Sequence, residues 1–459
     1  MNYIWILLLF VYPATSDEVY QNSSHICDQC LCEDEDEFIM DCSRQQFEHV
    51  LANWPPHNKT LVATFSYNNI STLEKLPIST QKAKLVFDHC NIKYLDSGLF
   101  SNMKNVEYID LSYNLLTTEE IGGDDFRGPY NDKRFRPIAV KYLNLAYNQI
   151  HSLPVKFFEN MPDLEELNLQ GNDFKVLDPT TQVALGSLTK IKVLNLADNE
   201  LTEIEGSLLR NLPTLYSLDL SSNHLDFVPL TLSYISNNLK VLKISDNYIF
   251  KLTDQSFLGL DLIELHLNNL PRLNYVEANT FATLKHLKKL YLRDNENLNY
   301  IDKEAFGDNQ IIDELDLSNN SLVNLDFKLI NWSKLKILKI NFNPLRCTCD
   351  LYNISQSLPK YITRKLDSPM CTDMENGDST PVFFLKSTIC SQDHPLHISN
   401  AIQHFNKIRI AMIVLSSLLL SGTIVTVILL LLRYRKTIAF RNYPFATQVS
   451  YYPIQTQHI

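Results

Sequence analysis

The spacing of leucines around one asparagine constrains this chain more than any other feature. Residues 164–177 read LEELNLQGNDFKVL. They fit the pattern L-x-x-L-x-L-x-x-N-x-L-x-x-L with Leu164, Leu167, Leu169, Asn172, Phe174 and Leu177. Leu167 and Leu169 are two residues apart, so they share one face of a short strand. Asn172 follows where that strand must turn.

The same pattern recurs along the chain. Twelve positions correspond to Asn172 and lie on average about 25 residues apart: Asn68, Cys90, Asn114, Asn148, Asn172, Asn199, Asn223, Asn247, Leu270, Asn295, Asn320 and Asn343. The chain therefore resembles the leucine-rich-repeat family in its extracellular form, whose repeats run to about 20–29 residues. That pattern accepts Cys90 in place of Asn, whereas Leu270 departs from it.

The resemblance implies an α/β fold: a leucine-rich-repeat solenoid of about twelve repeats with a curved parallel sheet. One repeat cannot bury its own leucines, so neighbouring repeats must stack and share a core. The turns leave backbone groups without sheet partners. A buried Asn amide both donates and accepts, so we expect a column of them to satisfy the turns of adjacent repeats.

Eight of the nine cysteines form two groups that flank the repeats. Their spacings resemble the N- and C-terminal cysteine caps of extracellular leucine-rich-repeat proteins, and "NPLRCTCDL" is the more specific of the two motifs. Sequence alone permits three connectivities in each group, and zinc binding is the alternative for the first. The resemblance implies the pairs Cys27–Cys32, Cys30–Cys42, Cys347–Cys371 and Cys349–Cys390. Cys90 is left over, and we expect it to be a buried, unreactive thiol.

Segments outside the repeats indicate a secreted or membrane-anchored protein. Residues 1–16 are typical of a signal peptide, with an N-terminal anchor as the alternative. Residues 410–432 are 23 uncharged residues, enough to cross a bilayer of about 30 Å. We predict this organisation: signal peptide 1–16, N-terminal cap 17–57, repeats 58–345, C-terminal cap 346–390, stalk 391–409, transmembrane helix 410–432 and cytoplasmic tail 433–459.

The charges that flank residues 410–432 predict a type I plasma-membrane protein with an extracellular N-terminus. Four basic residues and no acidic ones follow the segment. Sequons suited to N-glycosylation precede it, at Asn22, Asn58, Asn69, Asn319, Asn331 and Asn353. In the tail, residues from Tyr451 to Ile454 fit the Y-x-x-Φ pattern of a sorting-adaptor motif, although so short a pattern also occurs by chance.

Composition and motifs give no indication of catalysis or nucleic-acid binding. The formal net charge is −11, which argues against a nucleic-acid partner. The sequence holds no H-E-x-x-H, G-x-S-x-G or phosphate-loop motif. We therefore expect a protein that is not an enzyme and that needs no cofactor or metal.

One connection between repeats is longer than the others. The interval from Asn114 to Asn148 contains an insertion over residues 119–138, with glycines, prolines and many charges. Insertions in solenoids form surface loops, often at a binding face. The alternative is a tolerated loop without a role.

The exposed concave face of the sheet is the predicted ligand surface. In its N-terminal half the outward positions include Tyr67, His89, Tyr108, Asp110, Tyr113, Tyr142, Asn144 and Tyr147. Tyrosine suits protein binding, but matched tyrosines in adjacent repeats also form ladders that only stiffen a sheet. In the C-terminal half we predict a basic patch beside Asp219, with an ordinary solvated face as the alternative; it contains Lys240, Lys243, His266, Lys288, Tyr291 and Arg293.

Three functions remain open. The first is adhesion or recognition of an extracellular or cell-surface protein ligand through the concave face. The second is a co-receptor or innate-immune recognition subunit that signals through a partner. The third is a scaffold or regulatory subunit that holds a soluble enzyme.

Overall fold

A computed structural model describes residues 26–204, 212–234, 238–308, 310–363, 368–373 and 377–391. The chain divides into two compact units, Met1–Cys390 and Ser391–Ile459. The predicted signal peptide, Asn22, the membrane segment, the tail motif and nearly all of the stalk lie outside the described residues. Among those described, no helix is long and apolar enough to span a bilayer.

Short strands stack into one large sheet. Its first two strands form an antiparallel hairpin, Leu31–Asp34 and Phe38–Asp41. The second of these begins a parallel series that continues through Leu61–Thr64, Ser79–Val86, Met103–Asp110, Tyr142–Asn144, Glu166–Asn168, Val193–Asn195, Ser217–Asp219, Val241–Lys243, Glu264–His266, Lys289–Tyr291, Glu314–Asp316 and Ile337–Lys339. These twelve strands match the twelve repeats predicted from the leucine spacing.

The central leucine of each repeat strand points into the core. Leu167 is aligned with Leu143 on one side and with Leu194 on the other, and all three are at most 1% exposed. The same alignment continues to Leu315. Side chains on either side of these leucines point to the opposite face, which we call the open face. A fully buried leucine contributes roughly 1.5–3 kcal/mol, so the shared column of leucines is the main stabilising element of the sheet.

The predicted asparagine ladder is present at the edge of the sheet. Asn223 shows its geometry: Nδ2 donates to Leu220 O of its own turn (3.0 Å) and to Leu196 O of the preceding repeat (2.9 Å), and Oδ1 accepts from Leu201 N (3.0 Å). One buried amide therefore serves two turns. Where Cys90 replaces Asn, its Sγ donates to Phe65 O of the preceding repeat (2.9 Å).

The two departures from Asn are both accommodated. Burial raises the pKa of Cys90 to about 11, so the thiol keeps its proton and remains a donor. Leu270 is fully buried, and its backbone N–H donates to Asn295 Oδ1 (2.7 Å). The strand before it pairs in register with both neighbouring strands, which confirms the predicted register around Leu270.

Turns and short helices cover the side of the solenoid opposite the open face. Among the described residues of the repeats there is one α-helix, Pro179–Gly186, with 3-10 turns at Gly123–Phe126, Leu230–Tyr234 and Trp332–Lys334. Two further strand pairs are parallel, Thr72–Leu73 with Tyr94–Leu95 and Tyr275–Val276 with Tyr300–Ile301. The predicted α/β class is thus better described as a β-solenoid, because repeats of about 25 residues leave little length for helices.

Both ends of the solenoid are closed by disulfides. The bonds join Cys27 to Cys32, Cys30 to Cys42, Cys347 to Cys371, and Cys349 to Cys390. These are the pairs that the resemblance implies, and they leave no thiolates in the first group for the alternative zinc site. The C-terminal cap contains the helices Cys349–Ser357 and Lys360–Thr363, the 3-10 turns Val382–Phe384 and Ser387–Ser391, and the hairpin Met370–Thr372 with Ser379–Pro381.

The insertion is partly core. Its residue Phe126 is fully buried and stacks on Phe100 (ring centroids 6.0 Å), with Phe157 edge-on at 5.5 Å. Asn160 Nδ2 donates to Gly123 O (2.8 Å). The insertion therefore adds one phenylalanine to the layer opposite the open face. The first half of the insertion is therefore a structural element. It is neither a loop at a binding face nor a loop without a role, which were the two predicted alternatives.

Removing one ladder amide should destabilise the solenoid. Asn199 Oδ1 accepts from the buried Phe174 N–H (3.3 Å), and Nδ2 donates to Leu196 O (3.1 Å) and Leu169 O (3.2 Å). Asn199→Ala leaves the Phe174 N–H unpaired and removes one donor from each of the two carbonyls. We expect the free energy of unfolding to fall by about 1–3 kcal/mol in chemical denaturation. The control is Asn297→Ala, whose bond to Pro271 O is exposed and replaceable by water. Equal losses for the two variants would remove Asn199 from the ladder.

A buried carboxyl in the insertion predicts a pH effect on stability. Burial raises the pKa of Asp125 to about 6, so its contribution to folding is full below the unfolded pKa of about 4 and is lost as the pH rises through about 6. Asp125→Asn keeps an oxygen that can accept from Gly122 N–H but cannot ionise. We expect the melting temperature of this variant to rise relative to wild type between pH 4.5 and pH 7.5. Asp132→Asn, at an exposed site, should show no such trend; a pH-independent difference for Asp125→Asn would contradict this assignment.

Candidate ligand-binding surface

Two of the predicted tyrosines lie on strands of the open face. Tyr108 and Tyr142 are aligned on neighbouring strands, and their rings stack at 4.4 Å with an interplanar angle of 1°. Burial is the first cause that raises the pKa of both hydroxyls, and the nearby Asp110 carboxylate adds to it. Both hydroxyls therefore stay protonated at neutral pH. Next to them, Asn144 Nδ2 donates to Asp110 Oδ2 (3.0 Å).

The other three tyrosines predicted in the N-terminal half do not lie on strands. Tyr67, Tyr113 and Tyr147 each follow a strand and precede a ladder position, with φ between +53° and +60°. The prediction that they are strand residues between the leucines is therefore wrong. The chain must reverse direction at this point, and the left-handed backbone turns the side chain towards the rim of the open face.

These tyrosines stack in a column along the rim. The ring column consists of Tyr67, His89, Tyr113 and Tyr147, with successive centroids 4.4, 4.3 and 4.3 Å apart. The Arg44 guanidinium lies over Tyr67, 4.5 Å from the ring centroid, and closes the N-terminal end. Arg44 is a residue that the repeat pattern could have indicated, because it lies one repeat before Tyr67.

The ring column ends at Gly171 for a steric reason. Gly171 occupies the next left-handed position, with φ +66°. A Cβ atom there would come within 2.3 Å of the Tyr147 ring, so the ring occupies the space above the glycine. The same position carries small or polar side chains in the next six repeats, namely Asp198, Ser222, Asp246, Asn269, Asp294 and Asn319. In the last repeat it carries Phe342, which is 82% exposed.

The ring column combines exposure with fixed geometry. Tyr67 is 48% exposed and Tyr113 is 47% exposed, yet both faces of each ring are covered: those of Tyr113 by two rings, and those of Tyr67 by His89 and the Arg44 guanidinium. Burial and a hydrogen bond with Asp198 raise the pKa of Tyr147 to about 12, and its hydroxyl accepts from Gln170 Nε2 (2.9 Å). The column therefore offers ring edges and protonated hydroxyls to a partner, whereas the ring faces serve the ladder that the sequence left as an alternative.

Most side chains of the predicted basic patch are paired with acidic neighbours. Lys243 lies 3.3 Å from an Asp219 carboxylate oxygen, and Lys240 lies 2.6 Å from one of Asp261. His266 contacts Glu264 (2.7 Å).

Arg293 and Tyr291 of the patch are also engaged, whereas Lys288 makes no ion pair with any residue that the structure describes. Arg293 contacts Asp294 (3.5 Å). Tyr291 stacks on His266 at 4.4 Å, and burial with a hydrogen bond to Glu314 raises the pKa of Tyr291 to about 12. The acidic partners of His266 and Arg293 are close in sequence, whereas those of Lys240, Lys243 and Tyr291 come from neighbouring repeats, which the sequence could not show.

Most of the predicted glycosylation sites fall on accessible residues. Asn58, Asn69 and Asn319 are exposed, whereas Asn331 and Asn353 are half-buried. Asn319 occupies a left-handed turn position and donates to Asp294 Oδ1 (2.8 Å). A glycan on Asn319 would stand at the same rim as the ring column, towards the C-terminal end.

Leucine-rich-repeat models match most of the solenoid. The model described as "Leucine rich repeat" matches residues 138–193 and 180–225, and the "BspA type Leucine rich repeat region" model matches residues 231–347. These matches lie within the predicted repeats.

Several curated proteins are similar to the chain. The CD180 antigen of Mus musculus is 27% identical over 305 residues, which cover 61% of this chain and 40% of the relative. Toll-like receptor 2 of Macaca mulatta is 27% identical over 228 residues, which cover 49% of this chain and 26% of the relative. Transforming growth factor beta activator LRRC33 of Danio rerio is 25% identical over 346 residues, which cover 65% of this chain and 48% of the relative. The chain thus spans less than half the length of each of these relatives.

The strands, the asparagine ladder and the matched repeats agree with one another. The described part of this chain is a leucine-rich-repeat β-solenoid of about twelve turns with disulfides at both ends, similar to leucine-rich-repeat receptor proteins.

Proposed function

We propose that this protein is a cell-surface recognition protein that binds a protein ligand through the N-terminal half of its open face. The observation that carries the proposal is the ring column beside the Tyr108–Tyr142 pair. Together they place five tyrosines and a histidine on one side of a rigid sheet. Tyrosine offers a large amphipathic contact surface at low entropic cost.

The contrast between the two halves supports this location. In the C-terminal half, three cations of the predicted patch already have acidic partners, namely Lys240, Lys243 and Arg293. A ligand would have to displace these ion pairs, and their charges would need desolvation. In the N-terminal half, the ring stacking is complete before a ligand arrives, so little side-chain freedom remains to be lost on binding.

Among the three functions, the relatives favour recognition with a receptor or co-receptor role. Toll-like receptor 2 is by name a receptor, and LRRC33 is by name an activator of a growth factor. Adhesion is the other form of the same recognition function. The scaffold for a soluble enzyme receives no support from the relatives' names. We propose a protein that is not an enzyme.

The membrane topology is part of the proposal. Residues 410–432 would anchor the chain as a type I protein at the plasma membrane, with the solenoid outside the cell and Tyr451–Ile454 available to a sorting adaptor. The four disulfides fit an oxidising compartment.

Replacing two members of the ring column should weaken ligand binding. A screen of the wild-type ectodomain against secreted and cell-surface proteins would first identify the ligand. Tyr113→Ala/Tyr147→Ala should then bind it roughly thirtyfold more weakly, a loss of about 2 kcal/mol. The central leucines of the strands are untouched, so the fold should persist. Surface plasmon resonance gives the affinity, and circular dichroism gives the melting temperature.

The matched control is Lys243→Ala/Arg293→Ala in the ion-paired half. We expect this variant to bind like wild type. If the tyrosine variant binds the ligand with full affinity and the control variant does not bind it, the ligand site lies in the C-terminal half. The tyrosine variant could instead lose stability while its folded fraction binds the ligand with unchanged affinity. In that case the ring column is only a structural ladder.

Truncation tests the proposed topology. A chain that ends before Ile410 should appear in the culture medium as a soluble glycoprotein, because the signal peptide directs it to secretion and the anchor is gone. Western blotting of medium and lysate, with and without peptide N-glycosidase F, measures this. A truncated chain that stays in the cytosol without glycans would refute the topology.

A further inference from the structure

The tip of the insertion is an ordered hairpin of positive charge. We call residues 127–136 the basic hairpin. Gly128 N donates to Arg136 O (2.9 Å), and Arg136 N donates to Pro129 O (3.0 Å). A Cβ atom on Gly128 would come within 2.7 Å of Arg136 O, so glycine is required for this close pairing. The hydrogen bonds fix the tip in one conformation before any partner arrives.

The basic hairpin carries cations and aromatic rings at its surface. Lys133, Arg134 and Arg136 are exposed, and within the described parts of the chain they contact no carboxylate. Tyr130 is 59% exposed and packs edge-on against Phe135 at 5.2 Å. This concentration of free positive charge is notable in a chain of net charge −11. Because these cations have no partner in the fold, they are available to an external anion.

The N-terminal hairpin has the opposite charge. We call residues 31–41 the acidic hairpin; five consecutive acidic residues, 33–37, lie in it. Asp34 is paired with Lys59 (2.8 Å) and Glu37 with Lys84 (2.7 Å). The remaining three acids are exposed, and as far as the structure describes the chain their side-chain carboxylates contact no cation: Glu33, Glu35 and Asp36.

The acidic hairpin also has an apolar pair and a free backbone edge. Leu31 is 61% exposed and Ile39 is 36% exposed. Leu31–Asp34 is the first strand of the large sheet, so one of its edges has no neighbouring strand in the sheet. Exposed apolar edge strands favour association with another chain. Each hairpin thus combines three unpaired charges of one sign with an exposed hydrophobic pair.

We propose that the basic hairpin of one copy docks on the acidic hairpin of a second copy of this chain. Three free cations would face three free anions, and Tyr130 with Phe135 would cover Leu31 and Ile39. Exposed ion pairs alone contribute little, so the apolar pairs must be buried in the same contact. A sulfated polysaccharide would match the cations but would leave both apolar pairs uncovered. These hairpins are separate from the ligand surface proposed above.

The proposal predicts reciprocity. In a closed dimer the contact forms twice, basic on acidic and acidic on basic. It should also weaken as the salt concentration rises, because opposite charges steer the two copies together.

A charge exchange between the two hairpins tests the contact. Two differently tagged full-length chains are co-expressed, and the fraction of one captured with the other is measured after detergent extraction. We expect self-association of wild type and a loss of at least tenfold in two variants: Glu33→Lys/Glu35→Lys/Asp36→Lys and Lys133→Glu/Arg134→Glu/Arg136→Glu. Co-expression of these two variants should restore capture to within about threefold of wild type, because each then meets a hairpin of opposite charge.

The control applies the same charge change to three other exposed lysines, Lys285→Glu/Lys303→Glu/Lys328→Glu, and should associate like wild type. Glutamine at positions 133, 134 and 136 serves as a milder variant if the reversed charges impair folding. Unchanged capture in both single-hairpin variants, or a mixed pair that fails to restore it, overturns the proposal. So does a wild-type chain that does not self-associate but binds heparin through the basic hairpin, since the hairpin would then serve a sulfated polysaccharide. Normal self-association with no binding of the separately identified ligand would refute only the proposed function.

Discussion

The buried asparagine amide is the interaction on which the stacked repeats depend. Each turn after a strand exposes carbonyl and N–H groups that no sheet neighbour can satisfy. Asn223 serves its own turn and that of the preceding repeat in a single side chain. A buried unpaired backbone group costs about 1–3 kcal/mol, so a solenoid of twelve such turns without these amides would lose a large part of its net stability. The leucine column supplies the driving force, and the amides remove the penalty that burial of the turns would otherwise impose.

The same turn explains where the surface features lie. To reach the buried ladder position, the residue before it adopts a left-handed backbone, and its side chain is directed to the rim. In four consecutive repeats, from Tyr67 to Tyr147, that residue is aromatic, so rings stack at the spacing that the sheet imposes on the turns. At Gly171 the series stops, because a side chain there would overlap the Tyr147 ring. The proposed ligand surface is therefore a consequence of the constraint that forms the core.

Charge is distributed unevenly over the solenoid. On the open face of the C-terminal half, cations and anions from neighbouring turns neutralise one another. Unpaired charge persists at two hairpins that protrude from the repeat pattern, one acidic in the N-terminal cap and one basic in the insertion. Both lie where the regular stacking of repeats is interrupted. Asp34 and Glu37 still pair with lysines of the first repeats, but six other charged side chains of the two hairpins have no ion-pair partner among the described residues.

The sequence by itself determined the repeat number, the ladder positions and the register around Leu270, because a period of about 25 residues admits one stacking of leucines. The disulfide pairs came only from resemblance, since spacing left three connectivities for each group. The tertiary structure decided the rest. It places Tyr67, Tyr113 and Tyr147 in turns and not on strands. The sequence could not predict this, because a left-handed backbone conformation does not change the hydrophobic pattern. The tertiary structure paired Lys243 with Asp219 and buried Phe126 between Phe100 and Phe157, because these contacts join residues about 24 to 31 positions apart.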